Sequence, residues 1–183
     1  MAKKITLIVF EDNCSPGFYP LSLAHPVFDL LTGCFNPIDR LRILLKPVQM
    51  ILICREFLVD LTRMRYNLPV NQISIEGERV ILFNAAVKIE SKLFNELIRA
   101  KADTCMFRGN RLVGANLSKP ATLKMADTIL SLPNGSIDFE DSTIRIEVEA
   151  VFYNHLWDLV NDNGAMIAYD CRLIAKGSGW KIT

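Results

Sequence analysis

Apolar and polar positions alternate along this chain in blocks whose period switches between that of a strand and that of a helix. Ile5 to Phe10 is apolar at every position except Thr6, the pattern of a central strand buried on both faces. From Glu11 to Gly33 the pattern breaks, and Pro16, Gly17, Pro20 and Pro26 rule out a helix through the first half of that stretch. A connection longer than about 12 to 15 residues without structure of its own is usually functional or disordered, so this loop is the first candidate for function. Asn36-Pro37 then reads as an N-cap with proline at the first helical position, and Ile38, Leu41, Leu44 and Leu45 share one face of a helix running to about Leu45. Val48 to Ile53 predicts a second strand. Phe57, Leu58, Leu61 and Met64 recur at helical spacing within a helix from Glu56 to Tyr66.

Further along, Gln72 to Glu76 and Val80 to Asn84 are short strand candidates. Ser91 is placed to cap a helix with Leu93, Phe94, Leu97 and Ile98 on one face, and Thr104 to Arg108 and Leu112 to Leu117 flank a Gly109-Asn110 turn as a hairpin. Pro120 opens another helix, carrying Leu123, Ile129 and Leu130 and closed by Pro133-Asn134-Gly135. Ile144 to Tyr153 alternates as a strand, and Asn154 stands as a cap for a last helix of about 15 residues. Strands alternating with helices predict an α/β fold, a parallel sheet covered by helices. Lys176 to Thr183, with Gly177-Ser178-Gly179, reads as a linker or tail after a domain spanning residues 1–175.

Composition narrows the function classes. The 183 residues are 50% hydrophobic and 22% charged, which suits one core and excludes disorder, collagen and coiled coil. Twenty-one Lys and Arg against 20 Asp and Glu leave a net charge of +1, so neither nucleic acid nor an anionic membrane is an expected partner. No signal peptide or spanning segment is visible at the N-terminus or elsewhere, and a cytoplasmic setting is expected. The five cysteines are scattered, without zinc-ligand spacing, and are expected as reduced thiols, with Cys54 and Cys105 in apolar segments.

In open parallel sheets ligands bind beyond the carboxyl ends of the strands, which again selects the loop from Glu11 to Gly33. Its candidates for binding a nucleotide or sugar are Glu11, Asp12, Asn13, His25 and Asp29, joined by Asn84 at the end of a later strand, and Asp12 is the candidate metal ligand. Each has a plainer alternative. Glu11 and Asp12 also suit a solvated turn, His25 a histidine bonded to loop backbone, and Asn84 a turn. Arg55, Arg63 and Arg65 read as the exposed face of a helix, and Asp158 as a charge complementing a helix N-terminus. The chain contains no P-loop, GxGxxG or GxSxG motif.

Four segments carry a family resemblance. Pro20-Leu21-Ser22-Leu23-Ala24-His25-Pro26-Val27-Phe28-Asp29-Leu30-Leu31 with Gly33 resembles the PLTxxRPVxxLRxG signature of the GlmU-like sugar nucleotidyltransferases. Phe83-Asn84-Ala85, the hairpin from Asp103 to Leu117, and Trp157-Asp158-Leu159 with Asn163 are similar to further elements of that family, in the same order. The resemblance implies a three-layer, Rossmann-like nucleotidyltransferase fold with a mainly parallel, mixed sheet. It also implies a reaction in which a sugar 1-phosphate attacks the α-phosphorus of a nucleotide, assisted by Mg²⁺, and a left-handed β-helix after the domain, which this sequence lacks.

Where the family carries cations, this sequence has His25, Val27 and Leu31, and Ala85-Ala86 replaces an acidic position. The expectation is therefore a domain that binds a nucleotide or nucleotide sugar with its catalysis weakened or lost. The alternative is a non-catalytic regulatory or assembly domain on the same scaffold. Trp157, Val160 and Ile167, with Trp180 beyond them, predict self-association through the 155 to 183 region.

Overall fold

The apolar run at the N-terminus forms β1 (Ile5–Phe10), and neighbouring strands flank it on both sides. In this computed structural model, which describes residues 4–135 and 143–178, six strands stand in the order β2-β1-β3-β5-β4-β6. β1 pairs in parallel with β2 (Gln49–Ile53) and with β3 (Arg79–Asn84). β5 (Arg111–Ser118) runs antiparallel to β3 and to β4 (Thr104–Arg108), while β6 (Ile144–Glu147) is parallel to β4. Three of these five pairings are parallel, which makes the sheet mixed and mainly parallel.

Helices cover both faces. On one side Leu7, Val9, Ile81 and Phe83 pack with α1 (Pro37–Leu45), α2 (Val59–Tyr66) and α3 (Ser91–Arg99). On the other, Ile8, Phe10, Val80 and Leu82 meet Met125 and Ile129 around α4 (Lys119–Lys124) and α5 (Ala126–Ser131). Because successive strand residues point to opposite faces, both sets of β1 side chains are buried, and Thr6, the one polar member, donates its hydroxyl to Gln49 Oε1 at 2.9 Å. The result is the α/β architecture that the alternation predicts, in the three-layer, Rossmann-like form with a mixed sheet that the resemblance implies. The Asn36 cap is present, its side chain accepting from Asp39 N at 2.9 Å, and Gly109 turns the β4–β5 hairpin with φ +59°.

Several expectations need correction. Gln72 to Glu76 is not a strand. Pro69 and Asn71 instead bond on either side of Leu52 along the outer edge of β2, at 3.0 and 2.9 Å, and Asn71, with φ +51°, turns the chain away. Phe57, Leu61 and Met64 are exposed. A 3₁₀ turn at Glu56–Leu58 precedes α2, so the apolar spacing read across the junction does not continue on one face, and Leu58, Val59 and Thr62 are buried instead. The helix expected from Pro120 is capped by Ser118 and broken at Met125. Ser91 does not cap α3; the cap position is Glu90, and the Ser91 hydroxyl bonds to Tyr169.

The segment expected as a strand from Ile144 to Tyr153 pairs with β4 only as far as Glu147. It then crosses to the end of β3, where Lys88 N donates to Val151 O and Tyr153 N to Ala86 O, both at 2.8 Å. α6 (Leu156–Ser178) has 23 residues rather than about 15, so the first three residues of the expected linker are helical; the rest of it, with Trp180, lies outside the described residues. The Asp158 carboxylate accepts the backbone N–H groups of Asn154 and His155 at 2.8 and 2.9 Å, serving the helix N-terminus as expected. Among the described residues no helix is long and apolar enough to cross a membrane.

Candidate functional site

Two adjacent acids, Glu11 and Asp12, follow β1 directly, and continuing its extended course they send their side chains to opposite sides. Glu11, fully buried, accepts from the backbone and Nε of Arg55 at 2.8 and 2.9 Å and from Val27 N at 3.0 Å. This carboxylate ties the end of β2 and the long loop to β1. Asp12, 4% exposed, turns toward β3 and β5. Its Oδ2 accepts from Asn84 Nδ2 at 2.8 Å and Arg111 Nε at 2.6 Å, and its Oδ1 accepts from Cys14 N and Arg111 Nη2, both at 3.1 Å.

A cavity of about 330 Å³ opens beside this pair, at the carboxyl ends of β1 and β3 and the tip of the β4–β5 hairpin. Its polar wall is Asp12, Asn13, Asn84, Arg108, Asn110 and Arg111, and Phe10, Leu112 and Leu132 form its floor. Asn84 is itself held rigidly. Its amide donates to Asp12 and to Leu112 O, and its carbonyl accepts from Ala86 N at 2.9 Å. Burial, followed by the Asp12 charge, pushes the Cys14 thiol up, so it is poorly suited to act as a nucleophile.

Three of the six sequence candidates, Asp12, Asn13 and Asn84, therefore meet at one pocket. Glu11 faces away from it. His25 and Asp29 form a separate cluster on the long loop: His25 Nδ1 lies 2.6 Å from Asp29 Oδ2, and Arg65 and Tyr66 of α2 both bond to the Asp29 carboxylate. The reading of Arg55, Arg63 and Arg65 as the exposed face of a helix is overturned for Arg55, which lies ahead of α2 with its side chain 12% exposed, while Arg63 and Arg65 stay exposed on α2. Arg55, ahead of α2, reaches Glu11 and Arg65, in the last turn of α2, reaches Asp29, because the long loop folds back beside both ends of this helix and supplies carboxylates the sequence shows only at a distance. Arg108, Asn110 and Arg111 escaped the sequence reading. Their signal was present: two arginines directly flanking the Gly109-Asn110 turn.

The donor set fits a divalent cation poorly. A carboxylate has about four lone-pair positions, and Asp12 fills four with N–H donors, two of them from a guanidinium. No group of three His, Cys, Asp or Glu side chains able to hold a metal occurs among the described residues.

Residues 7–179 match the family described as sugar nucleotidyl transferase. The chain belongs to that family. No curated protein sequence matches it. Among solved structures it is similar to the CTP:phosphocholine cytidylyltransferase of Streptococcus pneumoniae, at 10% identity and a TM-score of 0.54, over 89% of this chain and 99% of that one. It is also similar to the 4-diphosphocytidyl-2C-methyl-D-erythritol synthase of Anaerococcus prevotii, at 12% identity and a TM-score of 0.52, over 90% and 98%. At such identities the likeness is one of fold.

Residues of the long loop that carried the resemblance have structural partners of their own. Val27 is buried with its amide on Glu11, Leu31 projects 65% exposed, and His25 is engaged by Asp29. Gly33 donates its amide to Asn163 of α6.

Proposed function

We propose that this domain binds a nucleotide or nucleotide sugar in the cavity beside Asp12 and Arg111, and that its pyrophosphorylase turnover is weak or absent. The observation that carries the reading is the placement of two guanidinium groups, Arg108 and Arg111, on one cavity wall at the carboxyl ends of parallel strands, where such folds take their ligands. The family reaction joins a sugar 1-phosphate to a nucleotide with loss of pyrophosphate, and the four signature segments support a GlmU-like position within the family. Phosphoryl transfer depends on cations around the phosphates. Side chains without permanent positive charge at positions 25, 27 and 31 support the loss of turnover. Mg²⁺ would be the cation of that chemistry, with Asp12 as its candidate ligand, and the saturation of Asp12 weighs against it. Five free cysteines support a reducing, cytoplasmic setting.

Calorimetric titration with the four common nucleoside triphosphates and several nucleotide sugars, run beside a pyrophosphate-release assay with sugar 1-phosphates, tests both halves. Binding of at least one nucleotide with little turnover is the expected result. Robust turnover refutes the loss of catalysis, and silence to every ligand refutes nucleotide binding.

A second reading, a domain that works by assembly, is favoured by α6. Trp157, Val160 and Ile167 are 59%, 68% and 41% exposed along it, an apolar row suited to a second copy of this chain.

A further inference from the structure

The geometry points to Arg111 as the phosphate-binding residue of the cavity, with Asp12 as its positioning residue rather than a metal ligand, so that phosphate is taken there without a bridging divalent cation. This inference rests on the nucleotide-binding reading of the cavity and deepens it.

Arg111 is fixed on three sides. One edge of the guanidinium lies on Asp12 through Nε and Nη2, Nη1 donates to Asn154 Oδ1 at 2.7 Å, and the plane covers the Phe152 ring at 3.9 Å. Guanidinium carries five N–H groups, of which these bonds use three. The other two have no partner among the described residues, on a side chain that lines the cavity. A planar fork whose orientation is already fixed loses little entropy on binding, and a phosphate oxygen pair matches its spacing.

Asp12 supplies that orientation. Its four acceptor positions are occupied, so an incoming divalent cation would have to displace a guanidinium, and the two positive charges would oppose each other at short range. The cavity wall carries two arginines against one carboxylate, a balance that favours an anion. Arg108, on the other side of the two-residue turn, is anchored by a bond to Ala150 O and faces the same space.

The test is calorimetric titration of the whole chain with inorganic pyrophosphate and with the nucleoside triphosphates, each in EDTA and in Mg²⁺. Pyrophosphate is expected to bind in EDTA. Arg111→Gln is expected to weaken it about 10-fold or more, the usual worth of a charge-assisted bond, and Arg108→Gln, at an exposed side chain, by a smaller factor. Asp12→Asn is expected to weaken binding alike in both buffers and to add nothing in the Arg111→Gln background; a general structural defect would add its own loss there. Thermal melting confirms that each variant folds, and Arg108→Gln keeps the test open should Arg111→Gln not fold.

Pyrophosphate binding that appears only in Mg²⁺ and is abolished by Asp12→Asn overturns the proposal. So does pyrophosphate binding unchanged in both arginine variants, or no binding in either buffer. Arginine-dependent pyrophosphate binding with no nucleotide binding upholds the anion site and overturns the nucleotide reading. Nucleotide binding that ignores Arg111→Gln does the reverse.

Discussion

The backbone amide of Gly33 donates to Asn163 Oδ1 at 2.8 Å, joining the loop after β1 to α6 across 130 residues of sequence. Beside this bond, Thr32 Oγ1 donates to Leu159 O at 3.0 Å and Cys34 N to Asp170 Oδ2 at 2.9 Å. The loop after β1 is thus held on α6, and Thr32, Gly33 and Cys34 serve architecture at this junction.

Gly33 adopts φ +76°, and a Cβ there would come within 2.5 Å of Asp170 Oδ2 and 2.9 Å of Met166. Left-handed strain and overpacking together make Gly33→Ala destabilising by about 3 kcal/mol. Asn163→Ala, which removes one hydrogen bond, should cost about 1 kcal/mol. Urea denaturation of both variants checks the order, and a neutral Gly33→Ala would contradict the packing.

Arg40 and Asp170 form a two-point pair at 2.8 Å on each side, with their side chains 1% and 0% exposed. Arg40 also donates to the carbonyls of Thr32 and Phe35. Asp170→Ala leaves a buried guanidinium without its counter-charge and should cost about 3 to 5 kcal/mol. The exposed pair Arg63–Asp60, at 3.5 Å, should cost less than about 1 kcal/mol when broken the same way. Chemical denaturation of the two variants side by side tests the contrast.

Burial pushes the Cys54 thiol from 9.0 up to about 12 and the Cys105 thiol from 9.0 up to about 11. In the unfolded chain both lose their protons near pH 9, while the folded protein retains them. Stability from these groups is therefore complete below pH 9 and falls as pH rises from there toward 11 and 12. Urea midpoints should decline between pH 9 and pH 11, and Cys54→Ala should flatten part of that decline. Equal slopes in the two proteins would refute the assignment.

If α6 pairs with a second copy, Val160→Lys and Ile167→Lys should each shift sedimentation toward the monomer without lowering the melting temperature, because both side chains already face outward at 68% and 41% exposure. A monomer at every accessible concentration of the unmodified protein would end that reading.

Local signals in the sequence determined much of the frame. The unbroken apolar run of β1, the Asn36-Pro37 start of α1 and the Gly109-Asn110 hairpin all form where the pattern places them, because each depends on conformational preferences within a few neighbouring residues. The same signals misplaced the apolar face of α2, where a 3₁₀ turn changes the period, and the strand expected before α6, where the chain leaves the sheet. What only the tertiary structure decided is which charges meet. Asp12 lies 99 residues from Arg111, and Glu11 lies 44 from Arg55. The candidate site is made of such pairs: a carboxylate becomes a turn, a ligand or a clamp according to the strand end packed beside it, and that neighbour is fixed by sheet order rather than by sequence spacing.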